Sequence, residues 1–160
     1  MPNLTMPKIT LKHTALLMLA AGVLALPLLS SPVSAQNDPI ASRKAVMKSV
    51  GGAMRDPGQM MRGQAPFDLA KVKASLETFV DASGKMSALY PKGSETGGET
   101  TASPKIWEAK ADFDARMVKF GADAKEALAS ITDEASFKAT FPKVGQNCGG
   151  CHETYRIEKK

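Results

Sequence analysis

Both cysteines of this 160-residue chain, and one of its two histidines, fall in a single run: Cys148-Gly149-Gly150-Cys151-His152. Two thiols separated by two residues and followed at once by an imidazole form the C-x-x-C-H signature of covalent haem attachment. On a helix, positions i, i+3 and i+4 fall within an arc of roughly 100°, so Cys148, Cys151 and His152 face one way. Two thiols on that face can add to the two vinyl groups of a haem edge while the imidazole reaches the iron from one side. Gly149 and Gly150 leave room for the macrocycle to approach the backbone. They also weaken an isolated helix, so this turn is expected to order poorly without haem. The second ring nitrogen of His152 should donate to a carbonyl, a water or a propionate, fixing ring orientation and ligand basicity.

Other chemistries use the same residue types. Two cysteines in an oxidising compartment ordinarily suggest a disulfide, and C-x-x-C also serves thiol redox proteins, where it stands at a strand-to-helix junction. No strand pattern precedes Cys148. A structural zinc site wants four ligands, and once an N-terminal leader is removed His152 is the only histidine left.

That leader is read from the first 35 residues. Lys8, Lys12 and His13 form a basic start, Thr14 to Leu29 is uncharged and mostly apolar, Pro27 breaks the run, and Val33-Ser34-Ala35 is a small-residue cleavage site. The apolar run is short of the ~20 residues of a membrane span, so the expectation is a secretory signal peptide over 1–35, cleaved after Ala35. No stable membrane anchor is expected, and the mature domain over 36–160 would reside in the periplasm. Without Lys8 and Lys12 the 21 Lys and Arg become 19 against 16 Asp and Glu, a formal net charge of +3. These charges are interleaved along the chain, unlike the clustered stripe of a nucleic-acid binder.

The elements that must position the motif all read at the helical period. Asp38 or Asn37 can cap a first helix with Pro39 at its first position, and Ile40, Val46, Met47, Val50 and Met54 lie on its apolar side. Gly51-Gly52 weakens this helix, and Asp56-Pro57 predicts a kink or restart. A second helix starts near Asp68, carries Leu69, Val72, Leu76, Phe79, Val80, Met86 and Leu89 as its stripe, and ends at Pro91. Lys92 to Ala102 reads as a surface loop. Ser103-Pro104 opens a third helix with Ile106, Phe113, Met117, Phe120, Ala124, Leu128 and Ile131 inward. Thr132 or Asp133 caps a fourth, in which Phe137, Phe141 and Val144 face the core and Pro142 should introduce a bend. Four amphipathic helices with short links predict an all-α, antiparallel up-down-up-down four-helix bundle, with haem near the C-terminal helix.

Three local patterns carry a resemblance. Cys148 to Arg156 reads C-x-x-C-H-x-x-[Tyr/Phe]-Arg on the last helix; Arg62-Gly63-Gln64-Ala65-Pro66-Phe67-Asp68 follows the first helix; and Pro104-Lys105-Ile106-Trp107 opens the third. In these the mature chain resembles the class II cytochromes c, which include cytochrome c′ and the low-spin, methionine-ligated cytochromes c-556. The resemblance implies one haem c with its iron, held by Cys148 and Cys151 and ligated by His152. It also implies a decisive position over the open haem face, which falls on Met47, sixteen residues before Gly63. In cytochrome c′ that position does not ligate, the iron is five-coordinate, and small gases bind; in the c-556 branch it is methionine. The implied ligand pair here is His152/Met47. Arg43, one turn before Met47, matches a residue near the haem propionates, and Arg156, one turn after His152, matches the arginine on the proximal side. Met54, Met86 and Met117 read as core filler, and Met60-Met61 as ambiguous.

With both axial positions filled, one-electron chemistry between Fe(III) and Fe(II) is what remains. The expectation is therefore a periplasmic electron carrier working with redox partner proteins that the sequence does not identify, and without catalytic residues. The main rival is a gas-binding module of the cytochrome c′ kind, taking nitric oxide or carbon monoxide. A haem-free thiol protein is a further rival, and a peroxidase lacks the second histidine it would use. Relatives pair through their first two helices, so the resemblance also raises a homodimer.

Overall fold

The computed structural model describes residues 38–158. The segment 1–35, read above as a signal peptide, lies outside the described residues. Six α-helical segments build four bundle helices: α1 (Pro39–Ala53) with α2 (Arg55–Met61), α3 (Leu69–Met86), α4 (Lys105–Glu108) with α5 (Lys110–Ser130), and α6 (Glu134–Tyr155). Among the described residues there is no strand, only an isolated antiparallel bridge between Ala102 and Arg156.

Local chemistry sets the helix starts. The Asp38 carboxylate accepts from the N–H groups of Ile40 (2.8 Å) and Ala41 (3.2 Å), with Pro39 in the first turn. Asp68 accepts from the Lys71 N–H at 3.1 Å, and Asp133 forms a capping box with Ser136. The first helix breaks at Met54, just before the expected Asp56-Pro57. Met54 keeps helical dihedrals (φ −73°, ψ −16°). Pro57 has no N–H for the Ala53 carbonyl one turn back, so the ladder is interrupted there rather than at the proline itself.

Two boundaries differ from the sequence reading. α3 stops at Met86, and a 3₁₀ turn (Ser87–Leu89) covers the remaining distance to Pro91; Tyr90, held out of the helical region by the following proline, has φ −122° and ψ 56°. The third helix is divided at Ala109 (φ −123°, ψ 46°), so Ser103-Pro104 opens only the one-turn α4. By contrast, α6 runs without interruption through the exposed Pro142 to Tyr155.

α3 packs on α1 and α5, and α5 on α6. The α3–α5 approach depends on Gly121, where a Cβ would lie 2.3 Å from Ser83 Oγ. One apolar cluster includes Val72, Leu76, Phe79, Ala124, Ile131, Phe137 and Phe141, all at most 3% exposed. Phe137–Phe141 and Phe79–Phe120 ring contacts (centroids 5.1 and 5.7 Å) run through it. A second cluster, of Met86, Tyr90, Ile106, Phe113, Met117 and Tyr155, has Met47 and Cys151 half-buried on its edge. Direct packing between α1 and α6 is slight, and it is along this seam that the molecule opens.

Candidate haem site

A cavity of about 500 Å³ lies between α1 and α6, floored by α5, within the range of a small-molecule or cofactor pocket. Cys148, Cys151 and His152 line it from α6; Met47, Gly51 and Met54 from α1; Phe113, Met117 and Phe120 from α5. The structure thus brings together every residue singled out for haem: Arg43 and Arg156 also line this cavity. Met54 and Met117, read as core filler, stand on its wall too, whereas Met86 is wholly buried and Met60 belongs to the other cluster.

The register of α1 against α6 distinguishes the two methionines of α1. A Cβ on Gly145 would sit 3.5 Å from the Met54 Cε, so Met54 meets α6 at Gly145. In an up-down-up-down bundle α1 and α6 run antiparallel. Seven residues span about 10.5 Å and return to within about 20° of the same face. Stepping seven residues back from Met54 and seven on from Gly145 sets Met47 opposite His152. Gly51, between them, faces the cavity, and a Cβ there would meet no protein atom.

Burial raises both thiol pKa values; the positive charge of Arg116 partly offsets this for Cys151. Burial, then the nearby Arg156 charge, lowers that of His152. The cysteines are therefore neutral thiols and the histidine a neutral imidazole at ordinary pH, the form in which it can give a lone pair to a metal.

Arg43 is not a surface arginine. It is 3% exposed. Its Nη1 donates to Ser94 Oγ (3.0 Å) and the Leu89 carbonyl (3.3 Å), and its Nη2 to the Ser94 carbonyl (2.7 Å) and Thr100 Oγ1 (3.0 Å). The guanidinium lies over the Tyr90 and Trp107 rings, 4.8 and 5.5 Å from their centroids. Among the described residues no carboxylate pairs with it, and its Nε is buried without a partner. A buried cation with an unused donor on a cavity wall suits an anionic group of the ligand, and a haem carboxylate fits. Arg156 ends α6, its N–H donating to the His152 carbonyl at 3.1 Å, with its side chain exposed at the rim.

Sequence reading missed two supports. The loop after α3 is not simply solvated: Ser94 is buried against Arg43, the Ser103 N–H donates to the Tyr155 carbonyl (2.9 Å), and the Ile157 N–H donates to the Thr101 carbonyl (2.8 Å). The loop therefore ties α1 to the end of α6. From α5, Arg116 Nη1 donates to the Gly150 carbonyl inside the motif (2.8 Å) and its Nε to Asp112 (2.8 Å), which also accepts from the Tyr155 hydroxyl (2.5 Å). The i,i+4 spacing of Asp112 and Arg116 was visible; that it grips the haem motif was not.

A helical bundle with paired thiols and an imidazole on one cavity wall defines a c-type cytochrome of the four-helix kind. Residues 38–156 match the family described as Cytochrome C′. The cytochrome c′ of Rhodopseudomonas palustris is 47% identical over 125 residues, covering 78% of this chain and 86% of that protein. Cytochrome c-556 of Agrobacterium tumefaciens is 39% identical over 121 residues, covering 75% and 98%. Among solved structures, the R. palustris cytochrome c′ superposes with a TM-score of 0.76 at 46% identity, covering 78% of this chain and all of the other. An NMR-validated structural model of oxidised R. palustris cytochrome c556 gives 0.70 at 29%, covering 78% and 100%. The chain belongs to the cytochrome c′ family, and its cofactor is covalently bound haem c.

Proposed function

We propose that this chain is a one-electron carrier with a six-coordinate, low-spin haem c: Cys148 and Cys151 form the thioethers, and His152 and Met47 are the axial ligands. The observation that supports this most is that Met47 from α1 and His152 from α6 line the same cavity, and the proximity of Met54 to Gly145 fits a register that brings the two level. Arg43 faces a haem carboxylate, and Arg156 stands beside the proximal ligand. Bound haem supplies Fe(III)/Fe(II) exchange; the protein sets the potential, and a thioether ligand raises it. The packed bundle holds both ligands nearly fixed, so little rearranges when the electron moves.

In this reading the chain is exported, processed after Ala35, and works in the periplasm as a domain over 36–160. No described helix is long and apolar enough to cross a membrane. The homodimer that the resemblance raises is checked by sedimentation velocity. The second reading, a five-coordinate haem that binds nitric oxide or carbon monoxide, is favoured by the 47% identity to a protein named cytochrome c′. Visible spectra of both oxidation states, with and without carbon monoxide, decide between them. Low-spin bands indifferent to carbon monoxide support electron transfer; a ferrous carbon monoxide adduct supports gas binding. Met47→Ala should convert low-spin to high-spin haem, and an unaltered spectrum would remove Met47 as ligand.

A further inference from the structure

We propose that Arg116 of α5, aimed by Asp112, is a positioning residue for the axial imidazole: it holds the Gly150 carbonyl, and with it the turn of α6 that carries His152. The inference rests on His152 as an axial ligand, and it stands whether or not Met47 fills the sixth position. The need for such a clamp comes from the chain itself. His152 stands in the last turn of α6, where helices fray. The two residues before Cys151 are glycines, weak helix formers, and a Cβ on either would meet open space. Because α1 barely packs on α6, this turn is held chiefly from α5 and from the loop after α3.

One small network ties down both sides of His152. Before it, Arg116 Nη1 donates to the Gly150 carbonyl at 2.8 Å. After it, the Tyr155 hydroxyl donates to Asp112 Oδ2, the same oxygen that accepts from Arg116 Nε at 2.8 Å. The guanidinium also lies 5.3 Å from the centroid of the Tyr155 ring, and Tyr155 is buried edge-on against Phe113. Asp112 and Arg116 thus reach positions 150 and 155, bracketing 152.

The plain alternative is an exposed i,i+4 ion pair, of the kind that contributes little; the two side chains are 38% and 55% exposed. Yet of the i,i+4 ion pairs among the described residues, only this one also donates to the main chain of another helix. Its cation is an arginine, whereas the other four use lysine. A planar fork can hold a carboxylate through Nε and a carbonyl through Nη1 in fixed geometry, where an ammonium is a rotating point charge. Ring orientation bears on the basicity of a ligating histidine, so a group that fixes its turn acts on the haem without touching it.

Paramagnetic proton NMR of the ferric holoprotein tests this, because the spread of the haem methyl shifts follows the plane of the axial imidazole. Arg116→Met should displace these shifts, and Arg116→Lys, which keeps the charge without the fork, should displace them too. Asp112→Asn, a milder change that leaves the fork unaimed, should displace them in the same direction. The Arg156 amide, which donates to the His152 carbonyl at 3.1 Å, should exchange with deuterium about tenfold faster in Arg116→Met. Lys85→Met, which removes an exposed ion pair on α3, should alter neither reading. The proposal is overturned if the methyl shifts stay in place in Arg116→Met while only the denaturant midpoint falls, which would make the network structural. It is overturned equally if Arg116→Lys restores the shifts, which would assign the effect to charge, or if Lys85→Met moves them as far. Should Arg116→Met fail to retain haem, Asp112→Asn decides by the same criteria. Failure of the ligand reading would appear separately, as the absence of histidine ring protons from the shifted resonances of the unsubstituted protein.

Discussion

In one apolar cluster, Val72, Leu76, Ala124, Ala127, Ile131 and Phe137 are wholly buried against one another. In the other, Met86, Ile106, Phe113 and Met117 are nearly as buried, but they pack beside Met47 and Cys151, which stay partly exposed. The chain completes most of its first core from its own side chains, with Val50, Met54 and Phe120 at its edge also lining the cavity. The second lacks a wall where α1 and α6 fail to meet, and haem is what fits between them. The first cluster should therefore respond to substitution as stability, and the second as spectroscopy and redox chemistry.

The sharpest break comes at the attachment thiols. Cys148→Ser with Cys151→Ser should abolish covalent haem, read as loss of haem staining on a denaturing gel and extraction of any pigment by acid–acetone. Phe137→Ala, in the closed cluster, should cost about 3–5 kcal/mol, read from the denaturant midpoint, while the haem spectrum of the folded protein stays as it was. If the spectrum changed instead, the division between the two clusters would fail.

Met54→Ala tests the contrast inside α1: the protein should stay low-spin, unlike Met47→Ala. Loss of the low-spin bands in Met54→Ala would put the register of α1 against α6 in error. Arg43→Met should cost about 1–3 kcal/mol, because Ser94, Thr100 and the Leu89 carbonyl lose a buried donor. It should also lower the reduction potential, because removing a cation beside the haem favours the ferric state; Arg43→Lys restores the charge but not the fork.

The smallest effect is in pH dependence around the Tyr155–Asp112 pair. Burial, then the hydrogen bond to Asp112, pushes the Tyr155 pKa from 10.0 up to about 12. The folded state thus prefers the protonated phenol, so this stability is present below pH 10 and lost as pH rises from about 10 to about 12. Hydrogen bonds from Tyr155, then Arg116, lower the Asp112 pKa below its ordinary 3.8. That contribution is present above the ordinary value and lost as pH falls through the lowered one. Thermal melts across pH should lose their alkaline limb in Tyr155→Phe and part of their acid limb in Asp112→Asn.

The same division between local and distant contacts separates what could be read from the chain alone. The caps at Asp38, Asp68 and Asp133 were legible because each is made with an N–H two or three residues away. The inward stripes of α3 and α5 were legible because helical period and burial coincide. The break at Ala109 was not, since alanine is a good helix former and nothing local marks a stop. Arg43 is buried by partners 46 to 57 residues further along the chain, in a loop whose glycines and serines read as solvated surface.

The sequence by itself determined that two thiols and an imidazole share one helical face, that four amphipathic helices must bury their stripes together, and where most of those helices begin. Tertiary structure alone decided that Met47 and His152 line one cavity from different helices, and that Arg43 is a buried cation with a free donor. Spacing along a helix is set by hydrogen bonds to near neighbours. Register between α1 and α6, about a hundred residues apart, is set only when side chains of distant segments pack.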